Sequence, residues 1–315
     1  MNYEILGSTG IRVSRLCFGS LTLGPLQANL SLAEGADLIR YALERGVNFI
    51  DTAKLYDNYA YIKKALQGWN QPVVIASKSY DYTAEGMKKS LETARLALDR
   101  DYIDIFMLHE QESEQTLEGH RPALEYLCEA KVSGKVCAIG VSTHTVNVVK
   151  AAAESDVIEI IHPIVNMRGL GLLDGTLPQL MDALEYAYVR GKGIYGMKAL
   201  GGGNLIPQAQ QALEFAFKVP CLHSVAIGCK VKEELDFNLC ILEEINPPES
   251  LVSKLKAVPR QLYIEEWCQG CGACVERCPF GLLEIRAGKA VLIGEQCMFC
   301  SYCAAACPQF AIKVI

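Results

Sequence analysis

The chain has 315 residues, enough for about two domains, and with 50% of them apolar and 21% charged it can bury a large core, which excludes a disordered tail. The net charge of −6 argues against a nucleic-acid binder, since that needs a basic footprint for phosphate. Residues 1–10 carry Glu4 and lack the basic flank and apolar run of a signal peptide, and no later stretch is apolar for long enough to span a bilayer, so the expectation is a cytoplasmic protein without a membrane partner.

In chain order, Leu6-Gly7-Ser8-Thr9-Gly10-Ile11-Arg12-Val13 reads as a small hairpin able to plug one end of a larger fold. Short apolar runs then predict eight strands, at 16–19, 47–50, 73–77, 102–108, 136–141, 157–161, 194–198 and 222–227. Val73-Val74-Ile75-Ala76 and Ile105-Phe106-Met107-Leu108 are apolar on successive residues, as strands covered on both faces must be. Between them Leu32, Ala36, Ile39 and Leu43, then Met87, Leu91, Ala94 and Leu98, recur at helical spacing with one buried stripe. Eight such units in about 230 residues predict an α/β fold, a closed (β/α)8 TIM barrel, rather than an open doubly wound sheet, and no GxGxxG follows the first strand. Asn246-Pro247-Pro248 breaks the chain, a short helix is expected over 249–257, and a second domain begins near Leu262. The expected domains are thus 1–261 and 262–315.

Of 14 cysteines, Cys17, Cys128, Cys137, Cys221, Cys229 and Cys240 are scattered and read as buried small apolar side chains. The other eight form two runs: Cys268-x2-Cys271-x2-Cys274-x3-Cys278-Pro279 recurs 29 residues later as Cys297-x2-Cys300-x2-Cys303-x3-Cys307-Pro308. Three thiolates two residues apart can wrap three irons of one cubane, and the fourth points away to the other cluster. By that logic one cluster takes Cys268, Cys271, Cys274 and Cys307, and the other Cys297, Cys300, Cys303 and Cys278. Structural zinc explains paired CxxC but neither the third cysteine nor the Cys-Pro endings. Residues 267–315 resemble the bacterial two-cluster [4Fe-4S] ferredoxins, which implies a small α+β domain holding two [4Fe-4S] clusters. A hairpin is expected around Ala287-Gly288. With four basic and five acidic side chains in 262–315, the domain lacks the acidity of an electrostatically steered partner, although a redox protein partner remains an expectation.

Functional side chains of a barrel enzyme sit where strands end and loops begin. Those positions hold Asp51, with Tyr56 five residues on, then Lys78 and His109. Gly46-Val47-Asn48-Phe49-Ile50-Asp51-Thr52-Ala53, Tyr56, Ser77-Lys78 and Tyr102-Ile103-Asp104-Ile105 leading to Leu108-His109 resemble the catalytic tetrad of the aldo-keto reductases and its flanks, over residues 1 to about 245. The chemistry explains the residue types. Hydride delivered to a carbonyl carbon leaves an oxyanion to be protonated; a phenol needs a nearby ammonium to serve as the acid, so Tyr56 is the expected donor and Lys78 the ammonium. Asp51 keeps Lys78 charged and placed, while His109 donates to the carbonyl oxygen.

The resemblance also implies a nucleotide site. The nicotinamide amide would lie against Ser142 and its neighbours, and Gly201-Gly202-Gly203 would let backbone amides approach a pyrophosphate. After Gly228, Lys230 matches a residue that meets the adenosine 2′-phosphate, and Glu234 and Asn238 match adenine contacts, so NADPH is expected over NADH. Three positions depart from the family pattern: Thr143 stands for Asn, His162 for Gln, and Met197 for an aromatic that stacks on the nicotinamide. Glu110, Glu112, Glu114 and Glu118 after His109 read as a solvated face.

The leading expectation is an NADPH-dependent carbonyl reductase fused to a two-cluster domain. Hydride moves electrons in pairs, each cluster takes one, and neither half shows a flavin motif to split the pair. The rival readings are single-electron reduction of a barrel-bound substrate, and a nucleotide-sensing electron-transfer or docking protein.

Overall fold

Leu16, Cys17 and Phe18 are buried on successive residues, which a strand sandwiched between an inner and an outer layer requires. The computed structural model describes residues 1–294, 297 and 299–314; Glu295, Gln296, Met298 and Ile315, which fall in the expected ferredoxin segment, lie outside the described residues. Two short strands, β1 (Tyr3–Ile5) and β2 (Arg12–Ser14), pair antiparallel as the expected hairpin. Eight parallel strands follow: β3 (Leu16–Gly19), β4 (Phe49–Asp51), β5 (Val74–Ser79), β6 (Ile103–Gln111), β7 (Val136–Thr143), β8 (Ile160–Pro163), β9 (Gly193–Gly196) and β10 (Ser224–Ile227). They close in the order β10-β3-β4-β5-β6-β7-β8-β9, the (β/α)8 barrel anticipated from the apolar runs.

Local chemistry moved several strand edges. The strand expected from 47 starts at Phe49, because the Val47 amide still closes the preceding helix on Ala42 O and Asn48 turns its side chain to the Ser14 amide. The one expected from 157 starts at Ile160, since the Val157 and Ile158 amides both donate to Ser155 Oγ at 3.2 Å. The ninth strand stops at Gly196 before the left-handed Lys198, at φ 58°. In contrast β6 runs on to Gln111 across a register shift, carrying His109 and Glu110 within it.

Inside the barrel Cys17, Phe49, Ile105, Met107, Ile160 and Tyr195 pack with Leu6 and Val13 of the hairpin, which therefore closes the amino-terminal end. A larger layer joins the outer faces of the strands to the helices, among them Leu32–Glu44, whose start is held by a reciprocal Ser31 and Glu34 capping box. Cys17, Cys221 and Cys229 are buried as expected and Cys128 and Cys240 are half-buried, but Cys137, near the start of β7, is exposed.

The linker helix spans Glu249–Lys256. The second unit then pairs β11 (Leu262–Ile264) antiparallel with β14 (Ile312–Val314), and β12 (Leu283–Arg286) with β13 (Lys289–Leu292), around two short helices, Ala273–Arg277 and Tyr302–Ala305. It rests on the mouth of the barrel. Gly203, at φ 90°, is a position only glycine fills: a Cβ there would lie 1.7 Å from Val314 O. Beside it the Phe310 ring lies under Lys198 Nζ, 4.9 Å from the ring centroid.

Candidate active site

Asp51 ends β4, Lys78 lies one residue from the end of β5, and His109 sits near the end of β6, so three neighbouring strands aim these side chains at one mouth. Tyr56 joins them from a turn over Lys54–Tyr56 that Asp57 closes in a left-handed conformation. Lys78 is 1% and Asp51 4% exposed. The ammonium lies 2.7 and 2.8 Å from the two carboxylate oxygens and 2.9 Å from Thr52 O, so all three of its N–H groups are used. A buried charge pair survives only when satisfied this fully.

Lys78 Nζ stands 4.9 Å from the centre of the Tyr56 ring, and the His109 ring meets the same phenol edge-on at 5.9 Å. Burial, then the negative charges of Asp51 and Glu110, push the Tyr56 hydroxyl well above the ordinary phenol range. In the resting site Lys78 is therefore balanced by Asp51, and the phenol holds its proton. Burial and the Lys78 charge push His109 well below the ordinary imidazole range, so the ring is neutral. Its Nδ1 is buried and, among the described residues, has no hydrogen-bond partner.

Sequence reasoning missed Tyr195. It sits two residues before Met197, inside the barrel, and its hydroxyl donates to Asp51 Oδ2 at 2.9 Å. His162 stacks on it at 3.9 Å and donates from Nδ1 to Tyr195 O at 2.7 Å; burial pushes the imidazole down to about 4. It too is neutral at physiological pH.

Also missed was a chain of polar residues beside the tetrad. Glu110, expected on a solvated face, instead lies inside β6 in a left-handed conformation at φ 50°, its amide donating to Ser142 Oγ at 2.8 Å. Its carboxylate accepts from Tyr80 and faces His144 Nδ1 at 3.0 Å, which holds it well below the usual carboxylate range. Glu112, Glu114 and Glu118 are exposed, as a solvated face requires.

The other nucleotide positions have intramolecular partners. Thr143 Oγ1 donates to Gln111 O at 2.7 Å; Met197 continues the sheet through its backbone beside Ile164. Gly201 is buried and Gly202 faces the Phe310 ring, while Gly228 packs against Thr22. Lys230 Nζ donates to Pro259 O at 2.7 Å, Glu234 accepts from the Lys230 amide at 2.7 Å, and Asn238 is buried with its amide 3.3 Å from Cys229 Sγ.

In the small domain the cysteines fall into two groups. Burial raises the Cys274 and Cys303 thiols most, and the thiols near enough to add to it are Cys268, Cys307 and Cys271 for Cys274 and Cys297, Cys278 and Cys300 for Cys303. These are the two sets of four reasoned from the spacing. The amides of Leu282, Ala290 and Ala311 donate to the sulfurs of Cys278, Cys268 and Cys307 at 3.3 to 3.4 Å, the arrangement that stabilises cluster thiolates. Among the described residues no three His, Cys, Asp or Glu side chains converge on a single ion; thiolates that each bind a separate iron of a cubane need not.

The sequence matches the aldo/keto reductase family over residues 15–220 and the 4Fe-4S dicluster domain over residues 267–312. An L-galactose dehydrogenase of Arabidopsis thaliana is 28% identical over 74% of this chain and 79% of its own. A 6-dehydroglucose reductase of Novosphingobium aromaticivorans is 28% identical over 45% of this chain and 52% of its own. The solved aldo-keto reductase of Bacillus halodurans in its holo form shares the fold, with a TM-score of 0.66 at 19% identity over 82% of this chain and 96% of that one. No helix among the described residues is long and apolar enough to cross a membrane. The chain is an oxidoreductase that belongs to the aldo/keto reductase family and carries a 4Fe-4S dicluster domain after its barrel.

Proposed function

We propose that the protein reduces a small carbonyl compound with NADPH in the barrel, beside two [4Fe-4S] clusters held by the eight cysteines. The observation that carries the reading is the protonated Tyr56 hydroxyl set between a satisfied Asp51–Lys78 pair and a neutral His109 whose Nδ1 lacks a partner among the described residues. A buried imidazole nitrogen without a partner costs about 1 to 3 kcal/mol, and a ligand at the mouth would remove that cost. The nicotinamide supplies a hydride when bound, held on this reading by Ser142 and its neighbours and by His162, with Lys230 at the 2′-phosphate. His109 then donates to the carbonyl oxygen, Tyr56 gives that oxygen its proton, and Asp51 fixes Lys78 under the ring.

One observation favours a second reading, in which single electrons reach a barrel-bound substrate. The loop of Gly202 and Gly203, matched to the pyrophosphate, is occupied by Phe310 and Val314 of the small domain, so nucleotide and domain compete for one surface. Anaerobic mixing of NADPH and a test aldehyde, 4-nitrobenzaldehyde, with the cluster-loaded protein tests both. Turnover with unchanged cluster absorbance supports the hydride reading alone. Bleaching of the clusters by NADPH means the two sites exchange electrons, and turnover that needs prereduced clusters rather than NADPH would replace the first reading with the second.

A further inference from the structure

A continuous polar path runs from the surface where the iron-sulfur domain docks to the rim of the pocket. Lys198 Nζ, over the Phe310 ring, lies 2.9 Å from His144 Nε2. An ammonium can only donate, so Nε2 accepts, Nδ1 carries the hydrogen, and that N–H points at Glu110 Oε1, 3.0 Å away. The same carboxylate accepts from the Tyr80 hydroxyl, and the Tyr80 ring stacks on His109 at 4.2 Å. The end of β6 and the loops after β5, β7 and β9 thus supply one member each.

Two members sit where a side chain is costly. Glu110 and Lys198 both adopt left-handed backbone, at φ 50° and 58°, a conformation that costs a residue with a Cβ on the order of 1–3 kcal/mol and persists only where the surroundings enforce it. Ser142 Oγ enforces it at Glu110 by accepting that amide at 2.8 Å. Glycine or asparagine would fill either place at less cost, yet both carry ionisable groups turned toward the same histidine.

We propose that Lys198, His144 and Glu110 form a proton relay that reloads the pocket from the domain interface. The inference rests on Tyr56 as the proton donor. On each turnover Tyr56 loses its proton to the substrate oxygen and is left as phenolate. One Lys198 N–H bond breaks as Nε2 of His144 is protonated, the Nδ1 proton passes to the Glu110 carboxylate, and Lys198 takes its replacement from water at the interface. From Glu110 the proton passes to the Tyr80 hydroxyl, whose ring stacks on His109 beside Tyr56, and so returns to the pocket that Tyr56 shares. Protons alone move, and no oxidant or reductant enters. The three residues touch no substrate, so they are positioning residues.

The charged groups facing Lys198 are Glu110 and Lys78 from the barrel and Lys313 and Glu265 from the small domain; those facing His144 are Glu110, Lys198 and Lys313. Burial and Lys313 bring the Lys198 ammonium down to about 7, where it can give up a proton and regain it.

Lys198→Met and Lys198→Arg separate relay from scaffold. Arginine keeps the charge and the donors but does not surrender a proton. With NADPH and 4-nitrobenzaldehyde, both variants should lower kcat about tenfold or more with little change in KM. The wild-type decline of kcat as pH rises past about 7 should be absent from both. An arginine variant that restores the parent rate and its pH limb would overturn the proposal. The second measurement needs no turnover: ring-15N NMR of the ligand-free protein should show His144 at neutral pH with its hydrogen on Nδ1, and the Nε2 resonance should shift in Lys198→Met. Hydrogen on Nε2, or on both nitrogens, breaks the path whatever the activity. Failure of the parent to reduce the aldehyde would count against Tyr56 and NADPH, and the NMR result would still decide the relay's wiring.

Discussion

The barrel and the cysteine-rich domain are held together in different ways. The barrel buries an inner layer of Phe49, Ile105, Met107 and Ile160 and a second, larger layer under its helices, so its charged mouth stands on an apolar foundation. Among the described residues of the small domain, the buried cluster around the cysteines joins Cys274, Leu283, Ala290, Cys303, Ala304 and Ile312, and two of these six are expected cluster ligands. Below roughly 70 residues an apolar core supplies only a few kcal/mol, so such domains lean on metal or cross-links. Where the foundation is apolar, the site can be changed without losing the fold; where the site is the foundation, it cannot.

The largest test of that contrast removes one ligand from each cysteine set. Cys271→Ser together with Cys300→Ser should leave a folded barrel that binds NADPH but holds fewer than two intact clusters, because binding of metal and folding are one process in so small a domain. Iron and sulfide analysis beside far-ultraviolet circular dichroism reads both halves. Full cluster content would sink the ligand assignment, and loss of barrel structure would sink the contrast.

Within the barrel, Tyr56→Phe removes one hydroxyl from a turn outside the strands. Turnover of a good aldehyde should fall about 10² to 10⁴-fold, as for loss of a general acid, with fold and cofactor affinity nearly unchanged. Reduction at the parent rate would mean that another group supplies the proton.

How much of this was legible follows from what each signal depends on. Runs such as Ile105–Leu108 show a strand covered on both faces, and the position after a strand shows which way a side chain points, so Asp51, Lys78 and His109 could be read off together. The eight cysteines were legible because cluster geometry fixes their spacing along the chain. Glu110, His144 and Lys198 were not read, although each lies in or just past the end of a barrel strand like the tetrad itself. Their partnership crosses β6, β7 and β9, and spacing along one strand carries no information about which side chains meet across three. Glu110 also opens a run of acidic residues whose later members are solvated, and a bulge that local composition does not announce turns it inward. Tyr195 was hidden for another reason: an aromatic inside an apolar strand looks like packing until Asp51 is found beside its hydroxyl.

The neutral His162 gives the barrel a pH dependence of its own. Its folded pKa of about 4 lies below the ordinary 6.5, so between these values the unfolded chain binds more protons than the folded one. The associated stability is complete above about 6.5 and is lost as pH falls toward 4, by on the order of 3 kcal/mol. Urea titrations at pH 7 and pH 4.5 should show this loss, and His162→Gln should lessen it. An equal loss in the variant would assign the acid sensitivity elsewhere.

The smallest expected effect lies where the two regions meet. Lys230 Nζ donates to Pro259 O in the linker, through a single hydrogen bond at a half-buried site, so the side chain can turn to a phosphate at little cost. NADPH and NADH differ only by the 2′-phosphate, and a charge-assisted hydrogen bond to it contributes about 1.5 to 3 kcal/mol. Lys230→Ala should therefore weaken NADPH roughly ten- to 150-fold while NADH binding hardly changes, and a fluorescence titration with each cofactor measures the difference. Equal small losses for both would leave Lys230 as a tie to the linker only. A rise in affinity for both cofactors would instead mean that removing the tie loosens the seat of Val314 on Gly203, because nucleotide and domain draw on the same loop.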